Sequence, residues 1–201
     1  MTLNRSLYAW VLIFFTVLIW SGIQPKDTFT WFLEVVPAII GFIILALTYR
    51  SFRLTPLVYQ LILIHCVILM VGGHYTYAEV PLFDYIKDAF ELSRNNYDKV
   101  GHFAQGVIPA LICREIVIRN NVINGRWWQF FFVVCFCLAF SAFYELIEWW
   151  VAAASGEDAE AFLGTQGYVW DTQSDMMLAL IGAVTGLLTL RRWHDKQLST
   201  I

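Results

Sequence analysis

The stretch WWQFFFVVCFCLAFSAFYELIEWWVAA, residues 127–153, decides how this chain is read. Its first eighteen residues, up to Tyr144, carry no charge. A helix needs about 20 apolar residues, rising 1.5 Å each, to cross a bilayer. Tryptophan pairs Trp127–Trp128 and Trp149–Trp150 sit near its two ends, where amphipathic rings prefer the headgroup layers. Two carboxylates, Glu145 and Glu148, then lie one turn apart on one helical face. A charge at the centre of a bilayer costs about 2.5–3.5 kcal/mol on insertion scales. The stretch therefore sets the fold class and poses the functional question together.

Five further runs repeat the pattern, at residues 7–23, 31–49, 56–75, 98–118 and 172–190. The whole chain has 201 residues, of which 59% are hydrophobic and 14% charged. Soluble domains carry about 25% charged residues. The expectation is a single all-α polytopic membrane bundle of about six transmembrane helices. The run after Arg5 has no cleavage-site pattern ahead of a soluble domain, so it reads as a retained first span. A formal net charge of −3 and no basic block exclude a nucleic-acid partner. The four cysteines (Cys66, Cys113, Cys135, Cys137) form no CxxC pair and read as small apolar residues, not disulfides. The sequence sets no oligomeric state.

Orientation comes from the basic residues. With both termini cytoplasmic, nine fall inside: Arg5, Arg50, Arg53, Arg114, Arg119, Arg126, Arg191, Arg192 and Lys196. Four fall outside: Lys26, Lys87, Arg94 and Lys99. Short connections at residues 24–30, 50–55 and 119–126 predict antiparallel neighbours. Two outer loops are long. Pro81 opens a run with Leu82, Ile86, Ala89 and Phe90 at helical spacing, which predicts an interfacial amphipathic helix over about 81–92. The second loop, 154–171, is glycine-rich and reads either as a lid or as a solvated connector.

The polar residues gather on the outer ends of the spans. Asp98 and His102 are spaced i,i+4 near the start of the fourth span, Asp171 and Asp175 likewise at the start of the sixth. His74 ends the third span after Gly72-Gly73. These five read as candidate metal ligands, and Glu145 and Glu148 as candidate catalytic carboxylates. Oxygen donors with imidazole favour Zn, Mn, Fe or Mg over copper. Helix capping by Asp98 and Asp171, or pairing with Lys99, is the plain alternative. His65 and His194 receive no role, and the inner halves of the spans read as dry. Gly182 and Gly186 form a G-x-x-x-G pattern that predicts close helix approach, and Pro109 predicts a kink.

The stretches Gly72-Gly-His-Tyr-Thr-Tyr, Tyr97-Asp-Lys-Val-Gly-His-Phe, Tyr144-Glu-Leu-Ile-Glu-Trp and Trp170-Asp-Thr-Gln-Ser-Asp-Met resemble the YjdF-type inner membrane proteins of bacteria. That resemblance implies the bacterial inner membrane and no particular reaction. More distantly, Asp98, Lys99, His102, Phe103, Glu145, Asp175, Gly182 and Gly186 resemble the pattern of VanZ-like membrane proteins, some associated with glycopeptide resistance. Glu148 and Leu178 depart from that pattern, which has Gln and Asn there. Three functions stay open. One is a metal-dependent enzyme acting on a lipid-linked or phosphate-bearing substrate at the periplasmic leaflet. The others are a small proton-coupled transporter and a non-catalytic bundle held together by its charges.

Overall fold

A computed structural model describes residues 2–155 and 165–201. It is helical, with no strand among the described residues. In chain order the helices are α1 (Thr2–Ser21), α2 (Thr28–Thr48), α3 (Pro56–His74), α4 (Pro81–Ala89), α5 (Tyr97–Arg119), α6 (Arg126–Ser155), α7 (Asp171–Thr189) and α8 (Arg191–Leu198). Local chemistry sets several starts. The Asp27 carboxylate accepts from the Thr30 amide at 2.6 Å and caps α2. Thr55 caps α3, and Pro56 follows at its first position, where the missing N–H costs nothing.

Four helices, α2, α3, α5 and α6, are long and apolar enough to cross a membrane. α7 passes that test only together with α8, which bends away by 59°. The apolar part of α1, Arg5–Ser21, falls short of it. The polytopic class stands: four helices qualify as spans by length and composition, five if the bent pair is one span, and α1 adds a shorter apolar helix. α7 spends its first turn on the polar run Asp171-Thr-Gln-Ser-Asp175.

Contacts between helix ends give the topology. Trp10 in α1 donates to the Tyr59 carbonyl at the start of α3, and both helices finish side by side at Ser21 and His74. Tyr144, late in α6, reaches Glu34, early in α2. Lys99 meets Asp171 and Asp175, so α5 and α7 run parallel. The bundle thus has an acidic end, where α5 and α7 begin, and a basic end, where α1 begins and α8 lies. α4 spans Pro81–Ala89, ending before the expected residue 92. Leu82 and Tyr85 on it are exposed, as an interfacial helix requires. Of the glycine-rich connector, residues 156–164 lie outside the described residues. Just beyond them, the Gln166 amide group bonds the Asn95 backbone N–H and C=O at 3.0 and 2.9 Å.

α5 is the most polar span and the most enclosed: 67% of its apolar window is buried by protein, against 22% for α2 and for α6. Protein neighbours, not lipid, surround its polar side chains. Its closest neighbour is α7. A Cβ on Gly106 would lie 2.0 Å from the Ala179 carbonyl oxygen, and one on Gly182 would lie 2.2 Å from the Phe103 carbonyl oxygen. The expected glycine contact is real, and Gly106 of α5 completes it. Pro109 stands inside α5, which continues unbroken to Arg119.

The basic end is not dry. Glu115, fully buried, accepts from the Thr55 amide at 2.9 Å and hydroxyl at 2.8 Å, from Arg119 at 2.9 Å and from His194 Nε2 at 3.0 Å. The other His194 nitrogen, Nδ1, accepts from Arg114 at 2.9 Å, and Arg114 also pairs with Asp195. Sequence reading gave His194 no role because it lies beyond the last span. The bend after α7 folds it back beneath the bundle, where it pins α8 to α3 and α5.

Two outcomes test this packing. Gly106→Ala and Gly182→Ala should each cost about 1–3 kcal/mol by forcing two backbones apart. Gly41→Ala, with open space around the added methyl, should be neutral or stabilising. Thermal unfolding in detergent reads both. Glu115→Ala leaves Arg119 and His194 facing an empty site, so about 3–5 kcal/mol should be lost. The same melting assay checks it against Glu79→Ala, whose partner Lys26 is half exposed.

Candidate functional site

The site sits at the acidic end and is built in layers. The outermost layer is cationic. Arg94 Nη1 donates to Asp171 Oδ1 at 2.5 Å, and its Nη2 lies 3.4 Å from Asp98 Oδ2. Lys99 Nζ donates to Asp171 Oδ1 at 2.7 Å, Ser174 Oγ at 2.8 Å and Asp175 Oδ1 at 2.6 Å, and lies 3.5 Å from Asp98 Oδ2. Both cations stand over the Tyr168 ring at 5.7 Å. One ammonium on α5 therefore gathers Asp98 of its own helix and Asp171 and Asp175 of α7.

The next layer uses what the cations leave. Asp98 and Asp175 each turn one oxygen to Lys99 and the other to His102. His102 Nε2 is 3.1 Å from Asp98 Oδ1 and 3.8 Å from Asp175 Oδ2. Its Nδ1 is 3.1 Å from Gln105 Oε1 and 3.8 Å from Glu145 Oε1. Asp98, His102 and Asp175 each present a ligand atom within 4.8 Å of the others. Glu145 is 8% exposed, and its Oε1 is buried without a hydrogen-bond partner.

Asp98, His102 and Asp175 are the residues that could hold a small divalent ion. Metal–ligand bonds of about 2.0–2.2 Å separate ligand atoms by roughly 3–4 Å. With Nε2 as the ligand, the Nδ1–H donates to Gln105, the outer contact that ligating histidines usually make. Lys99 and Arg94 fix the outer oxygens of the carboxylates in the same manner.

The innermost layer faces a cavity of about 960 Å³ bordered by α2, α3, α5 and α6. Glu34, Asp98, His102, Gln105 and Glu148 line its polar head, and Leu45, Ile62, Ile112 and Phe140 its apolar length. Glu34 is 5% exposed and accepts a 3.4 Å bond from the Tyr144 hydroxyl. Tyr77 also lines the head. The backbone turns sharply after α3, with φ of +56° at Thr76 and +55° at Tyr77, and the Tyr77 ring folds back on Gly72. A Cβ on Gly72 would lie 2.3 Å from that ring.

Of the seven residues singled out in the sequence, the structure brings together Asp98, His102, Asp175 and Glu145. Asp171 stands one layer out, held by Arg94 and Lys99. Glu148 faces the cavity. His74 does not join the set. Its Nδ1 lies 2.9 Å from the Ser21 carbonyl oxygen and its ring packs on Trp20 at 4.7 Å. The end of α3 abuts α1 and α2, so equal depth does not bring His74 to α5 and α7. Sequence reading missed Glu34, the one charged residue within the 31–49 run, although a charge inside a span is itself the signal. It also counted Arg94 only as an outer loop charge.

Fold and site together define an integral membrane protein with a buried acid–histidine cluster at one end of the bundle. The chain belongs to the DUF2238 family of predicted membrane proteins, which matches residues 6–196. It is 53% identical to inner membrane protein YjdF of Escherichia coli (strain K12) over 182 residues, 90% of this chain and 87% of that protein. This chain is a multi-pass protein of the bacterial inner membrane, the membrane that the relative's name gives. Neither match extends to the VanZ-like pattern. No solved structure matches the chain significantly.

Lys99→Met should strip Asp171 and Asp175 of their shared cation and lower the melting temperature markedly. Lys87→Met removes a half-exposed partner of Asp84 and should change it little. Equal melting shifts for the two variants would show that Lys99 carries no special load.

Proposed function

We propose that the acidic end is a metal-dependent hydrolytic site working on a membrane-resident substrate at the periplasmic leaflet. Its orientation rests on the nine-to-four excess of basic residues at the other end. The observation that carries the reading is the split use of Asp98 and Asp175. Each gives one oxygen to Lys99 and aims the other at His102, beside a buried Glu145 oxygen that has no hydrogen-bond partner.

What a divalent ion would supply there is Lewis acidity toward a carbonyl or phosphoryl oxygen. Asp98, His102 and Asp175 would hold it, with Gln105 fixing the histidine tautomer. Glu145, near His102, serves as general base in this reading. It takes a proton from the attacking water and returns it to the leaving oxygen as the ester bond breaks. Glu148 and Glu34 face the cavity and orient the substrate head. Arg94 reaches Asp98, and Lys99 reaches both Asp98 and Asp175, so the outer oxygens of the ligand carboxylates are held in place.

A second reading has its own support. Lys99 alone links three aspartates across α5 and α7, which would serve a purely structural bundle equally well. Elemental mass spectrometry of detergent-purified protein separates the two. The enzyme reading expects near-stoichiometric metal in the wild type, lost in His102→Ala and Asp175→Asn with folding kept. Glu145→Gln should keep the metal and lose turnover of a membrane lipid extract. Wild-type protein that takes up no metal when Zn or Mn is supplied leaves the structural reading.

A further inference from the structure

The cavity is longer than a catalytic cleft requires. Along α2 its lining runs from Phe32 to Thr48, sixteen residue steps and hence about 24 Å of helix. On α5 it runs from Asp98 to Asn120. One leaflet of hydrocarbon is about 15 Å deep, half of a 30 Å core. The cavity therefore has room for the whole chain of a membrane lipid, lying along the helices with its head at the acidic end.

Its wall is chemically sorted. Below the head the lining is mainly aliphatic and aromatic, with Thr48, His65, Cys66 and Asn120 the exceptions. At the head, Glu34, Glu148, Asp98 and Gln105 present acceptors, and neither Arg94 nor Lys99 borders the cavity. Both cations stand on the far side of the aspartates, toward α7. The two cavity-lining prolines add to this. Pro37 and Pro109 lack the N–H that would bond the Leu33 and Gln105 carbonyls in a regular helix. Leu33 and Gln105 both line the cavity beside its polar head. Glu34, at 5% exposure, is the buried polar side chain that meets an occupant arriving there.

We propose that this cavity binds a single-chain amphiphile whose head carries hydrogen-bond donors, an amine or hydroxyls, and not a bare phosphate. The chain enters sideways from the bilayer between α2 and α6, and the head docks against Glu34 and Glu148 within reach of His102. This names the substrate class of the hydrolytic reading above. Binding itself requires no metal, so the two can fail separately.

The test is binding to delipidated, chelator-treated full-length protein, followed by native mass spectrometry. Three probes of one chain length are compared: a monoacylglycerol, a primary alkyl amine and a fatty-acid methyl ester, whose head has no donor. The amine and the glyceride should bind about tenfold or more tighter than the ester, the ratio expected for one or more hydrogen bonds to a carboxylate. Gly41→Phe should abolish binding of all three, because Gly41 lines the cavity and an added side chain meets open space. Ile44→Trp, at a position already half exposed, repeats the block without touching the core. Glu34→Gln should reduce the preference for the amine over the ester. Equal binding of the ester in wild type overturns the head assignment. Wild-type binding by folded Gly41→Phe and Ile44→Trp overturns the cavity as the site.

Discussion

The arrangement depends on one backbone contact. Gly106 and Gly182 let α5 and α7 approach until carbonyl oxygens lie where side chains would normally stand. Within a bilayer there is little hydrophobic drive between helices, so such packing supplies much of the association. A further consequence is electrostatic. Two parallel helices that begin at the same level place Asp98 and His102 directly beside Asp171 and Asp175. Lys99 can then bridge them with an ordinary side-chain reach. A single methyl at either glycine would widen the gap and strip that bridge of its partners.

Six acids, counting Asp98, Asp171, Asp175, Glu34, Glu145 and Glu148, stand near two permanent cations. Arrays of this kind repel in a low dielectric, and their survival requires protons, cations or a ligand between them. The layering shows how the load is divided. Arg94 and Lys99 compensate the aspartates next to the outer surface. His102 and the space beside it lie between Asp98, Asp175 and Glu145. Glu34 and Glu148 face a cavity, and Glu34 accepts from the Tyr144 hydroxyl there.

The opposite end solves the same problem differently. Glu115 is fully buried, yet hydroxyl, amide, imidazole and guanidinium groups surround it and leave no opening. It fastens α8 beneath α3 and α5. A satisfied carboxylate of this kind reads as a structural latch. Glu145, by contrast, keeps a buried oxygen with no hydrogen-bond partner beside His102, which lines the cavity.

Much of this molecule is written in the chain itself. Apolar runs, tryptophans at their ends and the skew of basic residues fix a polytopic helical bundle, because hydrocarbon allows few other folds. Helical spacing alone pairs Asp98 with His102 and Asp171 with Asp175 on their own faces. It cannot say which faces meet. His74 lies at the right depth and on the wrong neighbour, while His194, seemingly outside, returns to a buried position. Glu34 was visible as a lone charge within a span, but its partner Tyr144 lies 110 positions along the chain. Periodicity is local, and the direction in which each helix turns its polar face is set by packing between distant segments. That packing decided which acids share a site, which are latched, and where the cavity runs.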